Sequence, residues 1–216
     1  MKKAELLAPV GKMENAIAAI ENGADALFVG GKGFNARQAA DNFTTDELQD
    51  IVNYAKLRGV RVYVTVNILV KQKEMKELFD YLTYLEEVGV HAIIIQDLGI
   101  AHMVKRYFPQ LRMHASTQMS AHSIEDVLFL KSLGFKRVVL ARELQLQEIQ
   151  EIIKTCDIEV ETFVHGALCY SYSGQCLMSS LIGGRSGTRG RCAQPCRMKY
   201  TLKEDGDTLT KESYLL

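Results

Sequence analysis

One unit recurs along the chain and restricts its fold more than any other feature. An amphipathic segment with helical periodicity ends at a glycine, and a short apolar run follows it. Glycine directly after a helix readily takes the left-handed backbone that closes the last turn. The runs are rich in β-branched residues and nearly continuous in hydrophobicity, which is typical of parallel strands covered on both faces. The helix-ending glycines are Gly23, Gly59, Gly89 and Gly134.

The strand-like runs favour one architecture. They number seven, at residues 5–8, 26–29, 62–66, 92–96, 111–115, 138–141 and 159–165. A doubly wound sheet typically has fewer strands and a glycine-rich phosphate turn after the first, and residues 9–12 (Pro-Val-Gly-Lys) are not such a turn. The helices between the runs carry start signals, such as the capping-box pair Thr44 and Glu47. The predicted fold class is therefore α/β, a parallel (β/α) TIM-type barrel.

The length sets the expected organisation. A full barrel takes about 250 residues, and no eighth strand is visible before Leu216, so we expect a barrel truncated after about seven strands in a chain that continues in the full protein. The predicted divisions are barrel units over 1–168, a cysteine- and arginine-rich loop over the barrel mouth at 169–200, and the start of a further segment at 201–216. Residues 212–216 have the pattern of a strand or hairpin.

Charge and hydropathy exclude several classes of protein. Lys and Arg number 26 against 26 Asp and Glu, which excludes a strongly basic nucleic-acid-coating protein but leaves room for a local basic patch. No run of about 18 apolar residues exists to span a membrane, and the apolar run after the basic N-terminus stops at Pro9, too early for a signal peptide. We therefore expect a cytoplasmic protein.

Polar side chains follow the predicted strands at the end where parallel barrels gather their reactive groups. We predict catalytic roles for His114, Gln118, Arg142 and His165, and substrate binding by Asn35, Arg37 and Asn67. Two alternatives remain open. Other polar residues at these ends cap the following helices, as is typical of Asp, Ser and Thr, and the two histidines are buried core residues. The candidate capping residues are Asp97, Ser116 and Thr117.

Four of the five cysteines lie close together near the C-terminus, which indicates a metal site or an iron–sulfur cluster. They are Cys169, Cys176, Cys192 and Cys196, with the spacing C-x6-C-x15-C-x3-C. Structural zinc prefers two tight pairs, and only the second pair qualifies. A redox dithiol of the C-x-x-C kind is absent. An iron–sulfur cluster tolerates wide loops, so we rank the cluster above zinc.

The cysteine segment is also strongly cationic. Between residues 185 and 199 it carries five basic side chains and no acid: Arg185, Arg189, Arg191, Arg197 and Lys199. Such charge favours thiolates, and it could equally contact phosphates of structured RNA. We predict substrate binding by Arg185, Arg189 and Arg191, with stabilisation of the thiolates as the alternative.

Several segments resemble the sequence signature of peptidase family U32, the collagenase-like protease family. They are residues 5–11, 30–37, 114–118, 161–169, 174–179 and 189–197. The resemblance implies that members named as peptidases sit beside members that hydroxylate RNA bases (tRNA wobble uridine, 23S rRNA cytidine) or the ubiquinone ring without O2. The run Arg-Gly-Arg-Cys-Ala-Gln-Pro-Cys at 189–196 is most similar to the long RNA-modifying members.

The resemblance also implies a [4Fe–4S] cluster on four cysteines, with prephenate as co-substrate of RNA hydroxylation. Cys169, Cys176 and Cys192 match three of the family ligands. The fourth is Cys196 or a cysteine beyond residue 216, and in the second case this chain alone would lack the cluster.

Three functions follow from the sequence. The first is an iron–sulfur RNA hydroxylase, whose RNA is a tRNA or 23S rRNA. The second is a peptidase with Cys169 as nucleophile and His165 as base, although no HExxH or GxSxG pattern is present. The third is a non-catalytic barrel that holds a cluster or a homologous partner subunit.

Overall fold

The structure, a computed structural model, describes residues 3–38 and 41–214. Within these residues seven strands form one sheet in sequential order, and every neighbouring pair is parallel. The strands are β1 (Leu7–Pro9), β2 (Ala26–Gly30), β3 (Arg61–Val66), β4 (Ala92–Ile95), β5 (Met113–Ala115), β6 (Arg137–Val139) and β7 (Glu159–Glu161). The predicted α/β class and the parallel, barrel-type order are confirmed.

A helix follows each of the first six strands. These are α1 (Met13–Glu21), α2 (Thr45–Lys56), α3 (Met75–Val88), α4 (Leu98–Tyr107), α5 (Ile124–Leu133) and α6 (Leu146–Thr155). The predicted capping box starts α2: the Thr44 hydroxyl accepts a hydrogen bond from the Glu47 amide at 3.2 Å, and the Glu47 carboxylate accepts one from the Thr44 amide at 2.8 Å. Gly89 and Gly134 end α3 and α5 with left-handed φ values of 76° and 104°.

The sheet has two different faces. Alternate strand residues pack against the helices in one large core, which contains Leu27, Val64 and Ile93 among many others. The residues between them form a smaller cluster of strand side chains on the opposite face, which includes Tyr63 and Ile94. The large core fixes the helices on the outside, and the smaller cluster occupies the inside of the curled sheet.

Charged groups share this interior. The Arg137 guanidinium, whose side chain is 8% exposed, donates to Glu5 and Glu159 at 2.6 Å each and to Glu161 at 3.3 Å. The Tyr63 hydroxyl donates to Glu5 at 3.0 Å. Because Glu5 precedes β1 and Arg137 begins β6, these contacts show that the sheet curls until its two ends face each other.

The seventh strand and the residues after it differ from the sequence-based expectation. β7 ends at Glu161, so His165 lies in the following loop. That loop leads to α7 (Met178–Gly183) and then to an antiparallel hairpin of β8 (Lys199–Glu204) and β9 (Asp207–Tyr214). The predicted terminal hairpin is thus present up to Tyr214, and residues 215–216 of that prediction lie outside the described part. None of the described helices has the length and apolar character needed to cross a membrane.

Candidate functional site

A cavity of about 820 Å³ opens at the carboxyl ends of β5, β6 and β7. All four clustered cysteines line it: Cys169, Cys176, Cys192 and Cys196. Three of the four predicted catalytic residues line it as well, namely Gln118, Arg142 and His165. The structure therefore places the four cysteines and three of the four predicted catalytic residues around one cavity, at the end of the barrel where active sites of this fold occur.

The first attachment of the cysteine segment to the barrel is made at Ser173, which is fully buried. Its backbone amide donates to the Glu143 carboxylate at 3.0 Å, and its hydroxyl donates to the same oxygen at 3.2 Å. The Arg142 backbone amide and guanidinium Nε donate to the Ser173 hydroxyl at 3.2 and 3.1 Å. Nearby, the side-chain amide of Gln175 donates to the Ser120 hydroxyl at 2.7 Å. Loops after β5 and β6 thus hold residues 173–175.

The second attachment is an ion pair on the loop after β3. The Arg189 guanidinium binds the Glu74 carboxylate through two hydrogen bonds, at 2.6 and 3.0 Å, and also donates to the Leu69 carbonyl at 2.5 Å. The Arg189 guanidinium is the largest of the causes that hold the pKa of Glu74 below its usual value. The Thr188 carbonyl accepts a hydrogen bond from the side-chain amide of Gln96 at 2.9 Å. Residues 188–189 are therefore fixed to the loops after β3 and β4.

Two glycines allow the segment to approach the barrel closely. A Cβ atom on Gly174 would lie 2.2 Å from the Gln118 carbonyl oxygen, and one on Gly190 would lie 2.5 Å from the Asn35 carbonyl oxygen. Both glycines also have positive φ, at 75° and 74°. A side chain at either position would push the backbones apart, so close contact between segment and barrel requires glycine there.

The thiols differ in exposure. Cys169 and Cys192 are exposed, whereas Cys176 and Cys196 are half-buried. The Cys192 sulfur accepts a hydrogen bond from the Gln194 amide at 3.3 Å, and Gln194 itself adopts a left-handed backbone with φ of 54°. A backbone N–H directed at sulfur is a contact that also stabilises metal-bound cysteine ligands.

These thiols match an iron–sulfur cluster in kind and in their shared cavity. Across residues 3–38 and 41–214, however, no group of three or more His, Cys, Asp or Glu side chains is arranged so that it could hold a metal ion. In the type of its donors the cavity fits the cofactor, whereas the present arrangement of the described side chains is not a metal site.

His114 lies apart from the cavity. It is 3% exposed on the inner face of β5, with its ring edge-on to Tyr63 at 4.7 Å between centroids. Among the residues that the structure describes, its Nδ1 atom has no hydrogen-bond partner. Burial, reinforced by the charge of Arg137, lowers the pKa of His114 to about 3. The alternative of a buried core histidine describes this placement better than a position at the cavity wall.

The predicted substrate-binding asparagines hold backbone. The Asn35 side chain donates to the Gly31 carbonyl and accepts from the Arg37 amide at 2.7 Å, and the Asn67 side chain accepts from the Ala36 amide at 2.9 Å. Both side chains are buried and shape the loop after β2. Arg37 is exposed, with its guanidinium 6.0 Å from the Phe28 ring centroid.

The three predicted substrate-binding arginines fall into two groups. Arg189 is paired with Glu74, so its charge is already neutralised. Arg185 and Arg191 are exposed, and in the described part of the chain neither forms an ion pair with a carboxylate. The Arg185 Nε atom donates to the Arg191 carbonyl at 3.1 Å, which keeps the two residues adjacent. They form the free cationic surface beside the cavity.

The capping alternative is confirmed for Asp97 and Ser116. Asp97 accepts hydrogen bonds from the amides of Gly99 and Ile100 at 2.8 and 3.2 Å at the start of α4, and Ser116 accepts one from the Gln118 amide at 3.2 Å. Sequence reasoning missed the roles of Glu74 and Ser173, because neither belongs to a motif. The neighbouring glycine, Gly174, was the available signal for a close approach at Ser173.

Comparisons with known proteins agree on one family. The family model described as Peptidase family U32 matches residues 11–216. The tRNA hydroxylation protein P1 of Bacillus subtilis (strain 168) is 44% identical, over 93% of this chain and 48% of that protein. The 23S rRNA 5-hydroxycytidine C2501 synthase of Escherichia coli (strain K12) is 42% identical, over 98% of this chain and 32% of that protein. The chain thus spans about half, or less, of the length of these curated relatives.

A solved structure confirms the architecture. The U32 peptidase Mk0906 superposes with a TM-score of 0.66 at 18% identity, covering 79% of this chain and 73% of that chain. At this level of identity the likeness concerns the fold.

Proposed function

Because the chain belongs to peptidase family U32, we propose that it supplies the barrel and the four thiols of an enzyme that hydroxylates a pyrimidine base of tRNA or 23S rRNA. The supporting observation is the cavity at the barrel mouth, where four cysteines meet Gln118, Arg142 and His165. The relatives named for RNA hydroxylation match over 93% and 98% of this chain. The cytoplasm is the proposed location, since thiols stay reduced there.

We propose a [4Fe–4S] cluster as the cofactor and prephenate as the co-substrate. Cys169, Cys176 and Cys192 would hold the cluster, with Cys196 or a cysteine outside this sequence as the fourth ligand. When bound, the cluster would supply one-electron redox chemistry at the wall of the cavity.

The chain's own residues bind and orient the substrate in this proposal. Arg142 is held by hydrogen bonds to Ser173 and to the Ser171 carbonyl at 3.2 Å and lies 4.0 Å from the Glu143 carboxylate, so its guanidinium is fixed at the cavity, where its remaining N–H groups suit a carboxylate or a phosphate. Gln118 offers an amide that can both donate and accept, as recognition of a base edge requires. His165 is exposed at the wall, where its imidazole nitrogens can form hydrogen bonds to a substrate.

RNA would reach the cavity across the free cationic surface of Arg185 and Arg191. Phosphate contacts position a nucleic acid without reading its sequence. The base itself must leave its stack to enter a concave site of this kind. The chain's neutral overall charge is consistent with local contact of this sort.

Peptidase activity is the second candidate. The Ser173 hydroxyl donates to Glu143 and is not directed at a histidine, so it does not form a serine–histidine pair. Cys169 and His165 line the same cavity, which is the observation in favour of a cysteine nucleophile. Cleavage of gelatin by the purified protein, abolished by Cys169→Ser, would establish this function in place of the hydroxylase.

The deciding experiment combines nucleoside analysis with metal analysis on the full natural protein. Cells without the gene should lose one hydroxylated pyrimidine nucleoside, and the wild-type gene should restore it. Anaerobically purified protein should contain iron and acid-labile sulfide, and any homologous chain that co-purifies would identify a partner subunit. Cys176→Ser should abolish both the modification and the iron. Cys156→Ser is the matched control, because Cys156 is buried at the end of α6.

Two results would overturn the proposal. One is an unchanged nucleoside profile in cells that lack the gene. The other is a protein that binds only zinc, or no metal, after anaerobic purification and reconstitution.

A further inference from the structure

We propose that Glu74 and Glu143 are positioning residues for the cluster ligands: through Arg189 and Ser173 they attach the cysteine segment to the barrel and set where Cys192 and Cys176 lie. The inference rests on the proposed function, since it takes these thiols to be iron ligands. It also gives Arg189 a role other than the phosphate contact expected from the sequence.

The Glu74–Arg189 pair has the geometry of a specific attachment. Both side chains are 22% exposed, so the pair is largely withdrawn from solvent. Two parallel hydrogen bonds join the guanidinium to the carboxylate, and a third reaches the Leu69 carbonyl. Two-pronged pairing of this type fixes direction as well as distance. An arginine held in this way is not available to bind a phosphate.

The Glu143–Ser173 attachment uses a different chemistry to the same effect. One carboxylate oxygen of Glu143 accepts from both the amide and the hydroxyl of Ser173, which is fully buried. Arg142 donates to the same hydroxyl from the other side. Detachment of the segment from the barrel would therefore break this whole set of bonds at once.

Each attachment lies the same number of residues before one of the cysteines. Ser173 lies three residues before Cys176, and Arg189 lies three residues before Cys192. Glu143 follows β6 and Glu74 follows β3, so separate parts of the barrel mouth control the two cysteines. The cysteines then approach each other at Gly187: a Cβ placed there would lie 3.8 Å from the Cys192 Cβ and 3.9 Å from the Cys176 carbonyl oxygen.

The test uses the full natural protein with Glu74→Gln, Arg189→Gln and Glu143→Gln, together with the charge-reversed double variant Glu74→Arg with Arg189→Glu. Residues that orient metal ligands indirectly typically change metal affinity by about 10- to 100-fold. We therefore expect each single variant to bind iron more weakly by about that factor, with an altered electron paramagnetic resonance spectrum of the reduced protein. The double variant should recover part of the lost iron affinity and part of the wild-type spectrum.

The control is Arg58→Gln, which removes a surface ion pair with Glu21, at the end of α1 and just after α2, outside the cysteine segment. It should bind iron like the wild type. A second measurement needs no metal: the rate at which a maleimide labels Cys192 in metal-free protein should rise in Glu74→Gln and Arg189→Gln, and the rate at Cys176 should rise in Glu143→Gln.

The outcomes separate the two proposals. If wild-type protein binds no iron, the cluster proposal fails, and the labelling rates still decide whether the attachments position the thiols. If the variants match the wild type in iron affinity, spectrum and labelling, the positioning role is wrong. If Arg189→Gln loses RNA affinity while these three readouts stay unchanged, Arg189 is a phosphate contact instead.

Discussion

At the scale of single residues, His114 shows how strongly position in the fold changes an ionisable group. It sits at the inner face of β5 against Tyr63, close to the positive charge of Arg137. Transfer of a charged imidazolium into this site would cost solvation, and the neighbouring arginine adds repulsion. His114 is therefore neutral in the folded protein well below the pH at which an ordinary histidine takes up a proton.

This neutrality predicts a specific pH dependence of stability. The pKa of His114 is about 3 when folded, against an ordinary value of 6.5, so the unfolded chain binds the additional proton between these values. Stability due to this group is then complete above pH 6.5 and falls as the pH decreases. Between pH 7.5 and pH 5 we expect it to remove about 2 kcal/mol from the free energy of unfolding, as measured by urea denaturation.

His114→Gln isolates this contribution because it removes the titrating group. The variant should lose about 2 kcal/mol less than the wild type over the same pH interval. His102→Gln is the control, since His102 is exposed on α4 and should leave the pH dependence unchanged. Equal slopes for wild type and His114→Gln would show that His114 takes up its proton in the folded state as readily as in the unfolded chain.

Residue roles could be predicted from the sequence where local chemistry determines them. The capping functions of Thr44 and Asp97 follow from residue type at a helix start, and the shared cavity of the four cysteines follows from their spacing after the last strand. The roles of Asn67 and Glu74 depend on loops distant in sequence, since Asn67 accepts from the Ala36 amide across 31 residues and Glu74 pairs with Arg189 across 115 residues. No local pattern encodes such a partner.

At the scale of elements, the docking of the cysteine segment depends on backbone proximity that only glycine permits. Gly190→Ala would place a methyl group 2.5 Å from the Asn35 carbonyl oxygen at a φ of 74°. Gly184 has a similar φ of 63°, but nothing lies within 4 Å of its Cβ position. Comparison of Gly184→Ala with Gly190→Ala therefore separates the free-energy cost of the left-handed backbone from the cost of the steric collision.

We expect Gly184→Ala to cost about 1–2 kcal/mol of stability, the usual penalty for a side chain in the left-handed region. Gly190→Ala carries the same penalty and must also move the segment away from the loop after β2. Limited proteolysis should therefore cut residues 184–198 faster in Gly190→Ala than in Gly184→Ala, at matched fractions of folded protein. Equal protection of both variants would mean that the segment does not need close contact at Gly190.

The helices and strands of the barrel could largely be predicted because each carries its own periodicity and end signals. β7 is the exception: its apolar run was expected to continue to His165, and the strand ends at Glu161. Val160 packs against the large core, whereas Phe163 and Val164 are 59% and 90% exposed, so apolar sequence alone could not locate the end. α7 was missed because a six-residue helix offers too little periodicity.

At the scale of the whole molecule, the buried ion pairs of Arg137 join the two ends of the sheet, which no strand pairing joins in the described residues. β1 pairs with β2 on one side and β7 pairs with β6 on one side, and no hydrogen-bonded strand joins β1 to β7 within 3–38 and 41–214. Arg137 connects these two ends through Glu5 and Glu161. This connection could not be inferred from the sequence, because Glu5 and Arg137 lie 132 residues apart.

Removal of Arg137 should therefore weaken the entire barrel. Glu5 and Glu161 have side chains only 14% and 16% exposed, and Arg137→Met would leave both without their shared cation. Loss of one partner from a buried ionic group costs about 3–5 kcal/mol, which urea denaturation at pH 8 would detect. Glu159→Gln is the matched control: its side chain is 58% exposed, so its loss should cost less than about 1 kcal/mol.

The pH dependence of Arg137→Met tests the same explanation in a second way. Burial already raises the pKa of Glu161 in the intact protein, and without Arg137 the buried carboxyls should hold protons more tightly than they do in the unfolded chain. Folding then takes up protons, so the variant's deficit should be smaller at pH 5 than at pH 8. A deficit that is constant over this range would show that Arg137 acts through its contact with the Tyr63 ring, whose centroid lies 5.1 Å from the guanidinium carbon, and not through the charges of the carboxyls.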